Sequence, residues 1–113
     1  MQNPTLTLTF AAALLLLQGV FDPVVADENA EQQFSRYQQA IEVTKQCRQI
    51  GFSDGEYDRM GEIINKKVNH EVGAKRLSLL LAAQKDARKL VEAKGCDSSE
   101  AGELLQIYDT ELK

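Results

Sequence analysis

Asn69-His70-Glu71-Val72-Gly73 decides the fold of this chain. Read as helix, it lets one element run from Asp54 to Lys94, with Gly73 tolerated inside at a cost of about 1 kcal/mol. Read as a turn, it divides the same stretch into two helices. Cys47 and Cys96, the only two cysteines, separate the readings. A continuous helix would hold them at opposite ends of a rod roughly 60 Å long, and only an exchange of helices between two chains could pair them. A turn folds the chain back. In an up-down-up-down bundle the first helix ends at the pole where the fourth begins, so both cysteines meet there. An intramolecular disulfide and a break at residues 69–73 stand or fall together, and we expect both.

Working outward, the sequence punctuates every remaining boundary. Upstream, Ser53-Asp54-Gly55-Glu56 has the spacing of a capping box, in which the Ser53 hydroxyl accepts from the Glu56 amide and the Glu56 carboxylate from the Ser53 amide. Phe52 before the cap and Tyr57 after it form a hydrophobic staple. Helix two then turns Met60, Ile64 and Val68 inward and ends near Asn69. Helix one runs from about Glu28 to Ile50, with Phe34, Tyr37, Ile41, Thr44 and Cys47 on one face. Gly51 is its expected C-cap, where a positive φ is cheap only for glycine.

Downstream, helix three spans Ala74–Lys94. Leu77, Leu80, Leu81, Ala87 and Val91 form its stripe, and Leu79, Ala83 and Leu90 widen it. A stripe that broad predicts the most buried helix, unless part of it serves a partner; Leu77, Leu79, Leu80 and Leu81 are the candidate interface. Gly95 caps this helix, and Asp97-Ser98-Ser99-Glu100 repeats the capping-box spacing, with Asp97 and Glu100 as the expected pair. Helix four, Ser98–Leu112, packs Ala101, Leu104, Leu105, Tyr108 and Leu112. No proline follows Pro23 and no strand-like alternation occurs. The expected fold is all-α: a small four-helix up-down bundle of two helical hairpins with one disulfide.

The amino-terminal residues read as an export signal. Phe10–Leu17 is a compact apolar core, Pro23 closes it, and Val24-Val25-Ala26 offers a cleavage site. Met1–Thr9 carries no Lys or Arg. Thr5, Thr7, Thr9 and Gln18 interrupt the run, and Asp22 with Pro23 ends it, short of the roughly 20 apolar residues that span a bilayer. The expected organisation is a signal peptide over 1–26 and a single helical domain over 27–113, with no stable membrane anchor after cleavage. Two cysteines in an oxidising compartment, far apart in sequence, then read as a structural disulfide.

The full chain has a formal net charge of −4. Loss of Asp22 with the signal leaves 13 basic residues against 16 acidic. A mildly acidic chain of mixed sign lacks the basic stripe that nucleic acid needs. The absence of Trp and the scarcity of aromatics argue against a sugar-stacking platform. Asp54, Asp58 and Glu62 make an acidic stripe along helix two, but a hard cation wants six or more oxygens in a cage, so solvated charge is the expected role. His70 is the only histidine and cannot build a metal site with these neighbours. It has no supporting triad motif either. Cys47 lies at a helix C-terminus, which opposes thiolate formation. Tyr37, Tyr57 and Tyr108 fall on apolar faces. The basic residues of helix three, Lys75, Arg76, Lys85, Arg88, Lys89 and Lys94, form a face that is solvated or docks an acidic partner. No catalytic group, metal or cofactor is expected, and no CxxCH attaches a haem.

A small exported four-helix protein with one long-range disulfide is similar in outline to the HdeA-type acid-stress chaperones of the bacterial periplasm. The likeness covers size, location and cysteine separation and includes no residue motif. The leading expectation is a non-enzymatic periplasmic or secreted helical protein that binds another envelope or extracellular protein. The resemblance implies a second, an acid-stress chaperone opened by protonation of paired carboxylates. A third is a small-ligand carrier with a pocket between helices.

Overall fold

A computed structural model describes residues 30–113. The expected signal peptide, its cleavage after Ala26 and the start of helix one at Glu28 lie outside the described residues. The described residues form an all-α bundle: α1 over residues 30–48, α2 over Asp54–Lys67, α3 over Arg76–Lys94 and α4 over Ser99–Ile107. A 3₁₀ turn, Gly73–Lys75, leads into α3, and a π-helical turn, Tyr108–Leu112, extends α4. No strand occurs among the described residues.

The chain breaks where pairing of the two cysteines requires. Val68 caps α2, and two residues of positive φ come next, Asn69 at 55° and His70 at 58°. The Asn69 amide donates to the Lys66 carbonyl and the His70 amide to the Asn65 carbonyl. This is a Schellman pair, which satisfies carbonyls that the helix end would leave bare. Val72 then plugs into the core and Gly73, at φ 58°, redirects the chain into α3. The disulfide Cys47–Cys96 forms within the chain, with a Cα–Cα separation of 5.6 Å.

The Ser53–Glu56 capping box is complete in both directions. The staple is aromatic: the Phe52 and Tyr57 rings meet edge-on at 5.6 Å. Two other caps differ from expectation. α1 ends at residue 48, earlier than Ile50, so the left-handed position falls on Gln49 at φ 52° and not on Gly51. At the α3–α4 junction Gly95 takes φ 82° as expected, but Ser98, not Asp97, is the N-cap of α4 and accepts from the Ala101 amide. The Ser98 hydroxyl also donates to the Gly95 carbonyl, a bond that an acceptor-only aspartate could not make. Glu100 is then at N2, where it pairs with Lys94 and accepts from the Ser99 hydroxyl.

These assignments predict opposite responses to substitution. Gln49→Gly and His70→Gly relieve a left-handed penalty of about 1 kcal/mol each and should raise stability by up to that amount. Gly95→Ala should cost about 1 kcal/mol. Gly51→Ala should be near neutral, because its backbone is ordinary and the space around it is open. Urea midpoints measured for the four variants separate these outcomes.

The core is not where the leucine stripe placed it. Ala40, Ile41, Glu42, Val43 and Thr44 are all buried. Five consecutive residues at 100° steps cover more than a full turn, so α1 is enclosed on every side at its middle. Met60 and Ile64 from α2, its cap Val68, and Ala101, Leu104, Tyr108 and Leu112 from the C-terminal helix close around it. α3, expected to be the most buried helix, buries only Ala83 and Ala87 fully. Thus α1 is the hub and α3 a flank.

α4 meets α1 in a way the simple hairpin picture does not contain. Glu103 and Glu111, on one flank of the C-terminal helix, reach Arg36 and Tyr37. Asp109, on the other flank, reaches Arg48. One flank faces the early part of α1 and the other its end, so the C-terminal helix lies across α1.

Candidate functional site

α3 presents two unlike faces. Ala83 and Ala87 press on the bundle, and Leu79, Leu80, Leu90 and Val91 border that contact, partly buried. Leu77 and Leu81 are one turn apart on the outer side, 64% and 56% exposed. They are the most exposed large apolar side chains of the described residues, ahead of Ile50 and Tyr57 at the α1–α2 corner. The fully buried positions of α3 are thus both small, and two of its large side chains, Leu77 and Leu81, lie outside. Of the four candidate interface residues, Leu77 and Leu81 project into solvent while Leu79 and Leu80 belong to the border.

Charge around this face is sorted by helix. Three ion pairs tie the α3 region to its neighbours: Lys75 to Glu31 at 3.4 Å, Arg88 to Glu42 at 3.8 Å, and Lys94 to Glu100. In each the cation belongs to the α3 segment and the carboxylate to α1 or α4. Glu42 is 3% exposed and also accepts from Gln46 Nε2 at 2.8 Å. Its burial follows from its place inside the enclosed turn of α1.

A polar cluster seals the opposite side of α1. The Tyr37 hydroxyl donates to Glu111 Oε1 at 2.6 Å, and Lys67 Nζ lies 3.2 Å from the same oxygen and 5.8 Å from the Tyr37 ring centroid. Burial, reinforced by the neighbouring Glu111, pushes Tyr37 up to about 12, so it stays a neutral donor. The bond from Tyr37, with Lys67 in support, holds Glu111 below its ordinary value of 4.5. The Arg48 guanidinium grips Asp109 with two bonds of 2.7 Å and lowers its carboxyl in the same way. The Ser53 amide lowers Glu56, and Lys94 lowers Glu100.

These shifts fix the sign of the pH response. Glu56, Glu100, Asp109 and Glu111 have folded values below their unfolded ones, so their contribution is complete above the ordinary carboxylate range and is lost as pH falls through it. Tyr37 has a folded value above its unfolded one, so its contribution is complete below about pH 10 and is lost as pH rises towards 12. Urea denaturation should show a plateau between these limits, with Tyr37→Phe abolishing part of the alkaline loss and leaving Asp109's acid response in place. A flat alkaline limb in the parent protein would refute the Tyr37 assignment.

Two surface hollows adjoin these groups. One of about 160 Å³ is lined by Gln33, Arg36, Tyr37, Ile107 and Glu111, and a shallow cleft of about 510 Å³ by Glu31, Gln32, Ser35, Arg36, Gln39 and Leu79. Part of their polar lining is already engaged: Tyr37 with Glu111 inside the smaller hollow, and Arg36 and Glu31 with Glu103 and Lys75 outside the linings. No group of three or more His, Cys, Asp or Glu residues that could hold a metal occurs among the described residues. No helix among them is long and apolar enough to cross a membrane.

Sequence reasoning missed Glu42 and the Tyr37–Glu111–Lys67 cluster. The first had a usable signal, a carboxylate inside the run Ala40-Ile41-Glu42-Val43-Thr44. The second had none, since Tyr37 and Glu111 are 74 residues apart. No family model, curated protein or solved structure matches the chain.

Proposed function

We propose that the chain from residue 27 onward is an exported, non-enzymatic helical module, periplasmic or secreted, that works by binding another envelope or extracellular protein through the outer face of α3. The observation that carries the reading is the solvent-facing pair Leu77 and Leu81 on a helix whose inner side already packs on the bundle. Apolar side chains of this size left in water on one rigid helix are the material of a binding anchor. The disulfide supports an oxidising compartment, and the apolar segment before Ala26 supports export through a cleaved signal. Intact mass of the protein from the exporting cell tests the export part: loss of residues 1–26 and a gain of about two mass units on reduction are expected, and a full-length mass overturns it. A photo-activated cross-linker at position 81, compared with one at exposed Glu62 on α2, tests the surface. A discrete adduct at 81 alone, lost in Leu77→Glu, is the expected result. Equal or absent labelling at the two positions overturns it.

A second reading, an acid-stress chaperone, is favoured by the four carboxylates held below their ordinary range. Their protonation withdraws stability as pH falls, while the disulfide keeps the opened chain tethered. Suppression of client aggregation at pH 3 but not at pH 7 is its expected signature, and equal aggregation with and without the protein at pH 3 rejects it.

A further inference from the structure

α3 differs from the other helices in how it is held and in the segments at its two ends. Its full burial is confined to two alanines, Ala83 and Ala87; Leu79, Leu80, Leu90 and Val91 pack against the core only in part, whereas Phe34, Met60, Ile64 and Leu112 are wholly inside it. The three ion pairs that fasten the α3 segment place its own side chains at 70%, 49% and 55% exposure for Lys75, Arg88 and Lys94. Lys75–Glu31 and Lys94–Glu100 are open to solvent on both sides and contribute little each, while the buried Glu42 carboxylate has Lys45 and Gln46 of its own helix as partners besides Arg88. The turn before the helix holds three positive-φ residues within five, Asn69, His70 and Gly73, and two of them are non-glycine residues that gain by leaving that conformation. Just past its far end, Cys96 is bonded to α1.

From this combination we infer that α3 is a hinged strap: it leaves the bundle as a unit by rotation of the backbone at residues 69–73, remains anchored at Cys96, and does so without unfolding α1, α2 and α4. Opening uncovers two surfaces. The inner border of α3, Leu79, Leu80, Leu90 and Val91, becomes continuous with Leu77 and Leu81. On the hub, Phe34, over whose ring the Arg76 guanidinium lies at 5.1 Å, loses that cover. Low-stability units of this kind are what moving elements are drawn from. The inference concerns the fold and holds whether or not α3 docks a partner, so it fails separately from the cross-linking result.

Native-state hydrogen exchange on the oxidised full chain, monitored against sub-denaturing urea, tests it. Detached from the bundle, a helix of 19 residues is marginal in water and frays, so amides of α3 should exchange through one shared opening, at least about 30-fold more populated than the global unfolding reported by amides 40–44. Two variants separate a hinged strap from general softness. Ile64→Val on α2 should raise exchange at 40–44 several-fold and leave α3 unchanged, because its side chain stays in place when α3 leaves. Ala82→Gly, on the exposed side of α3, should raise both by about fivefold. A single isotherm for α3 and residues 40–44, or equal acceleration of both by Ile64→Val, overturns the proposal.

Discussion

Replacing both cysteines, Cys47→Ser with Cys96→Ser, is expected to remove about 4 kcal/mol from the stability of the oxidised protein. The loop closed by the bond spans 49 residues. Closing such a loop removes about 14 cal/mol/K from the unfolded chain, which is about 4 kcal/mol at room temperature. Small domains have a total of about 5–15 kcal/mol, so this loss takes a large share. At this size 1 kcal/mol corresponds to about 4–8 °C, and the midpoint should fall by about 15–30 °C. The bond also has a position that chain entropy ignores. It joins the end of the hub α1 to the junction of α3 and α4, and α3 has little other deep attachment. The double variant should therefore lose protection in α3 before it loses protection in residues 40–44. Thermal unfolding of parent and variant, each monitored by circular dichroism, measures the first effect. A difference under about 1 kcal/mol would show that packing alone holds the junction and that the disulfide is no staple of this fold.

What the sequence made legible divides by the range of the physics involved. Local signals were accurate wherever a few neighbouring residues settle the outcome: the Ser53–Glu56 box, the Phe52–Tyr57 staple, the Gly95 cap and the break after Val68. Even there, competition between adjacent candidates went unseen. Asp97 and Ser98 both suit an N-cap, and only Ser98 can also donate to the Gly95 carbonyl. Gly51 is the residue that prefers a positive φ, yet α1 stops two residues sooner and leaves Gln49 there. The disulfide was legible because two cysteines and one break admit few topologies. The location of the core was not. A stripe of leucines on one helix says how much apolar surface is available, not which helix the others will surround. Likewise the crossing of the C-terminal helix over α1 depends on Arg36, Tyr37 and Arg48 finding Glu103, Glu111 and Asp109 more than 60 residues away, and no local pattern encodes such a pairing.

Truncating Phe34 should therefore cost far more than truncating Leu81, though both are large apolar residues on helices. Phe34 is 1% exposed in α1 and belongs to the core. Phe34→Ala withdraws its transfer free energy and leaves a cavity that the enclosed helix cannot collapse into, for a loss of about 3–5 kcal/mol. Leu81 is 56% exposed, and Ala is the better helix former, so Leu81→Ala should change stability by no more than about 0.5 kcal/mol. Urea denaturation of the two variants gives both values. The comparison decides between two placements of the core, because a bundle built around the α3 leucines would reverse the order. A loss above about 2 kcal/mol for Leu81→Ala would make that side chain structural and leave α3 without a surface for a partner. A near-neutral result, together with a large loss at Phe34, would mean that an exposed leucine is kept in water on a helix that does not need it for folding. That is the condition under which Leu77 and Leu81 act in binding and not in packing.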